Sequence, residues 1–208
     1  TIITARPDLV IIESLTQARF SAILKQAGLT VMAVKAETVS DITTHIINLG
    51  KVIGKEKIAT TRATEIIQRL AEVETLDQHT FLMLISDQDR NLYAARPESY
   101  SGLIAATLGL QNMAEGLPDS GPYPGFALMS IETILLANPD VIVTITPAPQ
   151  PAPRLSESIT RIPPFAALKA VQTGSIFEAD PTLFLQAPGP RIVDAVESLA
   201  QGLKFEDR

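Results

Sequence analysis

The sequence predicts an α/β protein of two lobes, with central, mostly parallel sheets flanked by helices, joined by one long rigid linker helix, the first lobe incomplete. Three observations predict it. Short continuous apolar runs at 8–12, 29–34, 81–86 and 140–145 read as strands buried on both faces. Helical segments separate them by short links, and strand–helix–strand order of that kind makes parallel pairing. One short pattern also occurs twice, on either side of a long helical stretch.

The first segment is a βαβ unit. A strand over 8–12 leads to a helix that Ser14 or Thr16 can cap and that runs to about Ala27, where Gly28 stops it. A second strand covers 29–34. The stretch 39–73 then carries Ile42, Ile46, Leu49, Ile53, Ala59, Ala63, Ile66, Leu70 and Val73, mostly three or four apart, as one helix face requires. Asp41 lies near the positive end of its dipole. Unbroken, the stretch would reach about 50 Å. Gly50 and Gly54 interrupt it, at about 1 kcal/mol each against alanine, and serve either close packing or a bend. The expected division is a partial first lobe over 1–37, a linker helix over 38–78 and a second α/β lobe over 79–208.

In the second lobe, a strand over 81–86 is followed by a polar loop or hairpin to Arg96. A helix over 99–108 ends at Gly109, and a Pro- and Gly-rich loop covers 117–125. A short helix over 131–137 precedes the strand 140–145. Pro147, Pro149, Pro151 and Pro153 forbid regular structure immediately after it. A helix over 165–171, a strand over 175–177 and a closing helix from about Pro190 complete the chain. That last helix places Ile192, Val193, Val196, Leu199 and Leu203 on one face.

The repeat aligns residues 1–11 with 133–143. Thr1, Ile2, Ala5, Pro7 and Asp8 match Thr133, Ile134, Ala137, Pro139 and Asp140. Each copy reads as a helix end, a Pro-Asp corner and a buried strand. Leu24-Lys25 before Gly28 echoes Leu168-Lys169 before Gly174. Ser130, Ile131 and Glu132 and a strand-rich region precede the second copy, whereas nothing precedes Thr1. From this contrast the first lobe is expected to lack its N-terminal strands. Its open edge is expected to make the chain associate with itself, because unpaired strand edges invite pairing.

Composition narrows the function. The 208 residues are 46% hydrophobic and 19% charged, which suits a globular chain and not a disordered one. A net charge of −6 argues against a nucleic-acid partner. The absence of cysteine removes disulfides, thiol nucleophiles and thiolate metal sites. No apolar run reaches the roughly 18 residues a membrane span needs. Neither a dinucleotide fingerprint, a P-loop nor a nucleophile elbow occurs.

Ligands of open α/β lobes meet the loops at the carboxyl ends of strands, here 13–17, 87–100, 146–151 and 179–186. Tyr93, Arg96, Tyr100, Tyr123, Phe126 and Phe184 lie in or near them. Aromatic faces with one or two charges suit a flat, partly apolar, anionic ligand, and an arginine can grip a carboxylate in two-pronged fashion. Each of these residues can equally be a packed or solvated surface group. His45 and His79 lack metal-ligand spacing and are expected to be solvated, so no metal site of the protein's own is expected.

Four phrases in order carry a resemblance. They are Arg6-Pro7-Asp8-Leu9-Val10-Ile11; Asp41-Ile42 with Leu49-Gly50, Gly54 and Ala59; Ser130 and Glu132 with Asn138-Pro139-Asp140-Val141-Ile142; and Gly189-Pro190-Arg191-Ile192 with Asp194-Ala195. Together they resemble the substrate-binding proteins of ABC importers whose lobes are joined by a single helix, the class that binds ferric siderophores, haem or cobalamin. The resemblance covers nearly the whole chain. It implies capture of a metal chelate between the lobes, delivery to a membrane permease, no catalysis and no resident cofactor. It also implies an extracytoplasmic location, periplasmic or as a cell-surface lipoprotein. Glu132 matches the second-lobe glutamate that docks onto permease arginines. Direct iron ligation by Tyr93 or Tyr100 is the less favoured mode. The run 108–112 departs from the Gly-Gly-x-Asn phrase of many members. Two other readings remain beside this one: a small α/β hydrolase or transferase, and a receptor or oxyanion-binding module of the same fold.

Overall fold

The computed structural model describes residues 1–76, 78–186 and 189–203. The chain opens with a short helix, α1 (Ile2–Ala5), capped by the Thr1 hydroxyl, which accepts from the Thr4 N–H at 3.3 Å. Strands β1 (Val10–Glu13) and β2 (Val31–Val34) pair in parallel, with Val10 opposite Val31. Helix α2 (Ser21–Gln26) covers one face and buries Leu24 against Val10 and Ile12. The helix begins later than expected, and neither Ser14 nor Thr16 caps it. The Glu13 carboxylate takes the local donors instead, accepting from the N–H groups of Leu15 at 2.9 Å and Thr16 at 2.6 Å, which holds 14–17 as a turn.

The single linker helix expected over 39–73 is two helices, α3 (Val39–Val52) and α4 (Glu56–Ala71). Thr38 and Asp41 form a reciprocal capping box at the start of α3, each bond 3.0 Å long. Both readings of the glycines hold, at different positions. Gly54 adopts φ +66°, which ends α3 and turns the chain, and Lys55 donates its N–H to the Gly50 carbonyl at 2.7 Å. Gly50 supplies the close approach, since a Cβ there would collide with that of Ala59. The result is a helical hairpin with a three-residue turn, not a straight rod. Its inner face joins the second lobe: Ile42 and Ile66 are buried in that core, with Val39, Ile46 and Leu70 packed against it. Arg69 reaches across to Glu197 at 2.8 Å and Asp194 at 3.4 Å.

The second lobe contains β3 (Thr80–Ser86), β4 (Leu92–Ala95), α5 (Tyr100–Thr107), β5 (Gln111–Asn112), β6 (Phe126–Met129), α6 (Ile131–Ala137), β7 (Val141–Ile145), α7 (Leu155–Ile159), α8 (Lys169–Gln172), β8 (Ile176–Ala179), α9 (Pro181–Phe184) and α10 (Ile192–Gly202). The sheet order is β6-β4-β3-β7-β8, with β5 also paired to β3. Strands β3, β7 and β8 are parallel, while β4 folds back as a hairpin antiparallel to β3 and β6 is antiparallel to β4. Alternation along β3 divides the core. Phe81, Met83 and Ile85 face α5 and α10, and Leu82 and Leu84 face the α6 side with Ile134, Ile159 and Phe165. All five apolar residues of the closing helix stripe are buried. The helix expected over 165–171 is split into a 3-10 turn (Pro163–Ala167) and α8. Strands β5 and β6 and helices α7 and α9 have no counterpart among the elements the sequence predicts.

The repeat is structural. Arg6 (φ 44°, ψ 56°) and Asn138 (φ 40°, ψ 58°) end their helices in the same left-handed conformation. At equivalent positions, Val10 pairs with Val31 and Ile142 with Ile176, both in parallel. In the second copy the corner carboxylate is tied down. Burial opposes ionisation of Asp140, but the Lys169 ammonium at 2.5 Å and the N–H and hydroxyl of Thr80, both 2.8 Å away, outweigh it and hold the carboxyl at about 2.

Candidate functional site

A cleft of about 370 Å³ opens where the carboxyl ends of β1 and β2 face the start of α5 and the end of α9. The first lobe contributes Glu13, Thr16, Gln17, Lys35 and Glu37. The second contributes Glu98, Ser99, Tyr100, Phe126, Phe184 and Gln186. The lobes touch at its edge: Gly125 (φ +85°) leaves so little room that a Cβ would lie 2.9 Å from the Leu15 Cδ2.

Three of the six sequence-predicted ligand residues line this cleft. Tyr100 is half-buried in the first turn of α5. Its hydroxyl is enclosed and makes no well-formed hydrogen bond, and burial, partly opposed by the nearby Gly189 N–H, pushes the phenol up to about 12. Phe126 and Phe184 border the cleft but are core side chains, 7% and 0% exposed. The other three do not line it. Tyr93 is buried and donates its hydroxyl to Asp87 at 3.0 Å, and its ring meets Tyr123 edge-on with centroids 4.7 Å apart. Arg96 sits behind the wall, its guanidinium 3.3 Å from Glu98 and 3.5 Å from Asp119. That pairing occupies the fork expected to grip an anion, and Nε is buried without a partner.

The charged first-lobe side chains are also engaged. The Glu13 carboxylate is filled by the N–H groups of Leu15 and Thr16 and by the Thr16 hydroxyl. The Lys35 ammonium lies 3.1 Å from Glu37 and 3.6 Å from Asp41. The hydrogen bond to Glu37 leads in raising its pKa, with the Asp41 charge next. The loop 35–37 was missed in the sequence, although it follows β2 just as 13–17 follows β1. His45 is not freely solvated as expected: it is half-buried on α3, and its Nε2 accepts from the Lys35 N–H at 3.2 Å, fixing the end of β2. His79 is half-buried too. Among the described residues no group of three or more His, Asp or Glu side chains could hold a metal ion.

A second, larger cavity of about 610 Å³ lies within the second lobe at the carboxyl ends of β3 and β7, lined by Ser86, Asp87, Arg90, Thr146 and Arg161. It takes Asp87, Arg90 and Leu92 from the predicted loop 87–100 and Thr146 and Pro147 from 146–151, while Glu98, Ser99 and Tyr100 line the inter-lobe cleft. Glu132 stands exposed in the first turn of α6. Its own backbone N–H, followed by the Ser130 hydroxyl, holds its carboxyl below the usual range.

Two α/β units are fastened by a helical hairpin, with a cleft between the carboxyl ends of one sheet and the start of α5 and end of α9 in the other unit, which is a bilobal α/β architecture. The chain belongs to the periplasmic binding protein family, whose profile residues 1–183 match. It is 26% identical over 212 residues to an uncharacterised ABC transporter substrate-binding lipoprotein of Bacillus subtilis, YvrC, covering 97% of this chain and 63% of that protein. It is 24% identical to a cobalamin-binding protein of Halobacterium salinarum, covering 93% of this chain and 52% of that one. The chain thus spans less than two thirds of the length of these relatives. Among solved structures, an ABC transporter substrate-binding protein from Listeria monocytogenes superposes with a TM-score of 0.79 at 18% identity, over 98% of this chain and 79% of that one, a likeness of fold. The family consists of substrate-binding transport proteins. No helix among the described residues is long and apolar enough to cross a membrane.

Proposed function

We propose that the chain is the extracytoplasmic substrate-binding component of an ABC importer. In this reading it captures a metal chelate (a ferric siderophore, cobalamin or haem) in the inter-lobe cleft and delivers it to the permease. The observation that carries the reading is the cleft itself: one polar wall rises from the ends of β1 and β2, the other from α5 and α9, and family membership supports that use. The cobalamin-binding relative supports the chelate class. Tyr100 is the aromatic that presents surface to the ligand, while Phe126 and Phe184 back the wall. Glu132 docks on the permease, and as an exposed rim charge it orients the encounter more than it adds affinity. Location in the periplasm, or on the cell surface through a lipid anchor, follows from the same reading and is supported by the lipoprotein relative.

Thermal unfolding in the presence of ferric siderophores, cyanocobalamin and haemin tests the reading. A ligand at about 100 times its Kd is expected to add about 2.7 kcal/mol of stability. A cooperative transition that none of them moves would count against it. The chain also exposes Ile2, Ile3, Ile11, Phe20 and Ile23 around its two-stranded sheet. A second copy of the chain is the occupant we propose for the unpaired edges of that sheet. A monomer mass unchanged across concentration by light scattering would remove the proposal.

A further inference from the structure

We infer that the cleft selects a neutral or cationic chelate over an anionic one, an inference that rests on the capture reading above. The argument is one of charge already spoken for. Lys35 and Arg96 are the cations in or directly behind the cleft walls, and each faces two carboxylates: Glu37 and Asp41 around Lys35, Glu98 and Asp119 around Arg96. Arg191, near the Tyr100 hydroxyl, is itself 3.5 Å from Asp194. Glu13 adds a further carboxylate whose oxygens are turned to backbone donors. Around the cleft, carboxylates therefore outnumber the cations that could answer an anion.

A ligand bearing propionates or catecholate oxygens would have to pull Lys35 or Arg96 from its partners. It would then leave Glu37 or Glu98 facing like charge at short range, which is the repulsive element that sets specificity. A ligand carrying an ammonium or amide N–H groups meets the opposite situation. The Glu37 and Glu98 side chains are about half exposed (49% and 57%) and accept such donors without breaking the pairs, and Gln186 offers a neutral partner.

Calorimetric titration of the whole chain with three probes tests this: ferrioxamine B, a cationic ferric trihydroxamate; cyanocobalamin, which is neutral; and ferric enterobactin, a trianionic tris-catecholate. At low ionic strength the first or second is expected to bind at least about tenfold more tightly than the third, with the gap narrowing as salt screens the rim. The probes differ in shape, so the variant Glu37→Gln/Glu98→Gln isolates charge. It should narrow the gap by about tenfold, as Lys35 and Arg96 lose a competing carboxylate each. Equal or tighter binding of the tris-catecholate by the unaltered chain overturns the inference while leaving capture intact, as does a gap that neither salt nor the variant moves. Binding of none of the three nor of haemin removes the capture reading and this inference together, whereas binding of haemin alone, a dianionic propionate ligand, overturns the inference only.

Discussion

Gly102→Val is expected to destabilise the protein by about 3 kcal/mol and to weaken chelate binding in whatever fraction remains folded. Gly102 lies in the first turn of α5, where the chain from β4 is wound tightly onto the helix. Ser99 accepts from the Gly102 N–H through its hydroxyl at 2.9 Å, and that hydroxyl donates to the Arg96 carbonyl at 2.7 Å. A Cβ on residue 102 would collide with the Arg96 carbonyl oxygen and lie 3.0 Å from Pro97 Cα. These are backbone atoms, so no rotamer change relieves the contact, and the segment 96–100 must move. That segment carries Arg96, Glu98 and Tyr100, so the same displacement opens the second wall of the cleft. Urea unfolding reads the effect as a lower midpoint at unchanged slope. A midpoint equal to that of the unaltered protein would show that the loop does not rest on the helix as described.

Phe184→Ala is expected to cost about 3–5 kcal/mol, the range for emptying an aromatic from a packed core. In a chain of this size that lowers Tm by on the order of 10 °C. The ring is fully buried, lies 6.3 Å from the Phe177 ring centre to centre, and closes the core between α5, β8 and α10. Its carbonyl accepts the Ser101 hydroxyl at 2.7 Å, which ties the end of α9 to α5 across the cleft wall. With no exposed face, Phe184 supports the wall instead of offering a stacking surface. Phe184→Leu, which keeps most of the apolar volume, should therefore recover most of the stability and the ligand affinity. If Phe184→Leu kept the stability and lost the affinity, the ring would be a ligand contact after all.

Strands β1, β2, β3 and β7 and the closing helix were legible because each is an apolar run or a regular stripe bounded by Gly, Pro or a cap, whereas β8 was read only in part and the two-residue β5 not at all. The Pro-Asp corner was legible twice over, and its two copies share backbone angles and strand register. The hairpin in the linker was half legible. Gly50 and Gly54 marked it, but only the left-handed φ at Gly54 and the contact of Gly50 with Ala59 show that one glycine turns the chain and the other lets it fold back. Strand β6 is four residues long and gains its identity from pairing with β4, a partner more than thirty positions away at Leu92↔Met129, so nothing local announces it. The site divided in the same way. The carboxyl-end rule found 13–17 and Tyr100, and the same rule applied to β2 would have found Lys35 and Glu37. That Arg96 is held by Glu98 and Asp119, and that Tyr93 is closed off by Asp87 and Tyr123, depends on side-chain packing that sequence spacing does not encode.

The most direct measurement of the central claim, capture between the lobes, is amide hydrogen exchange of the whole chain with and without saturating ferrioxamine B or cyanocobalamin. The account predicts slowed exchange on both sides of the cleft, at 14–17 and 35–37 from the first lobe and at 98–102 and 184–186 from the second. Protection confined to 86–92 and 145–162, around the larger cavity of the second lobe, or to no segment of the first lobe, would contradict it.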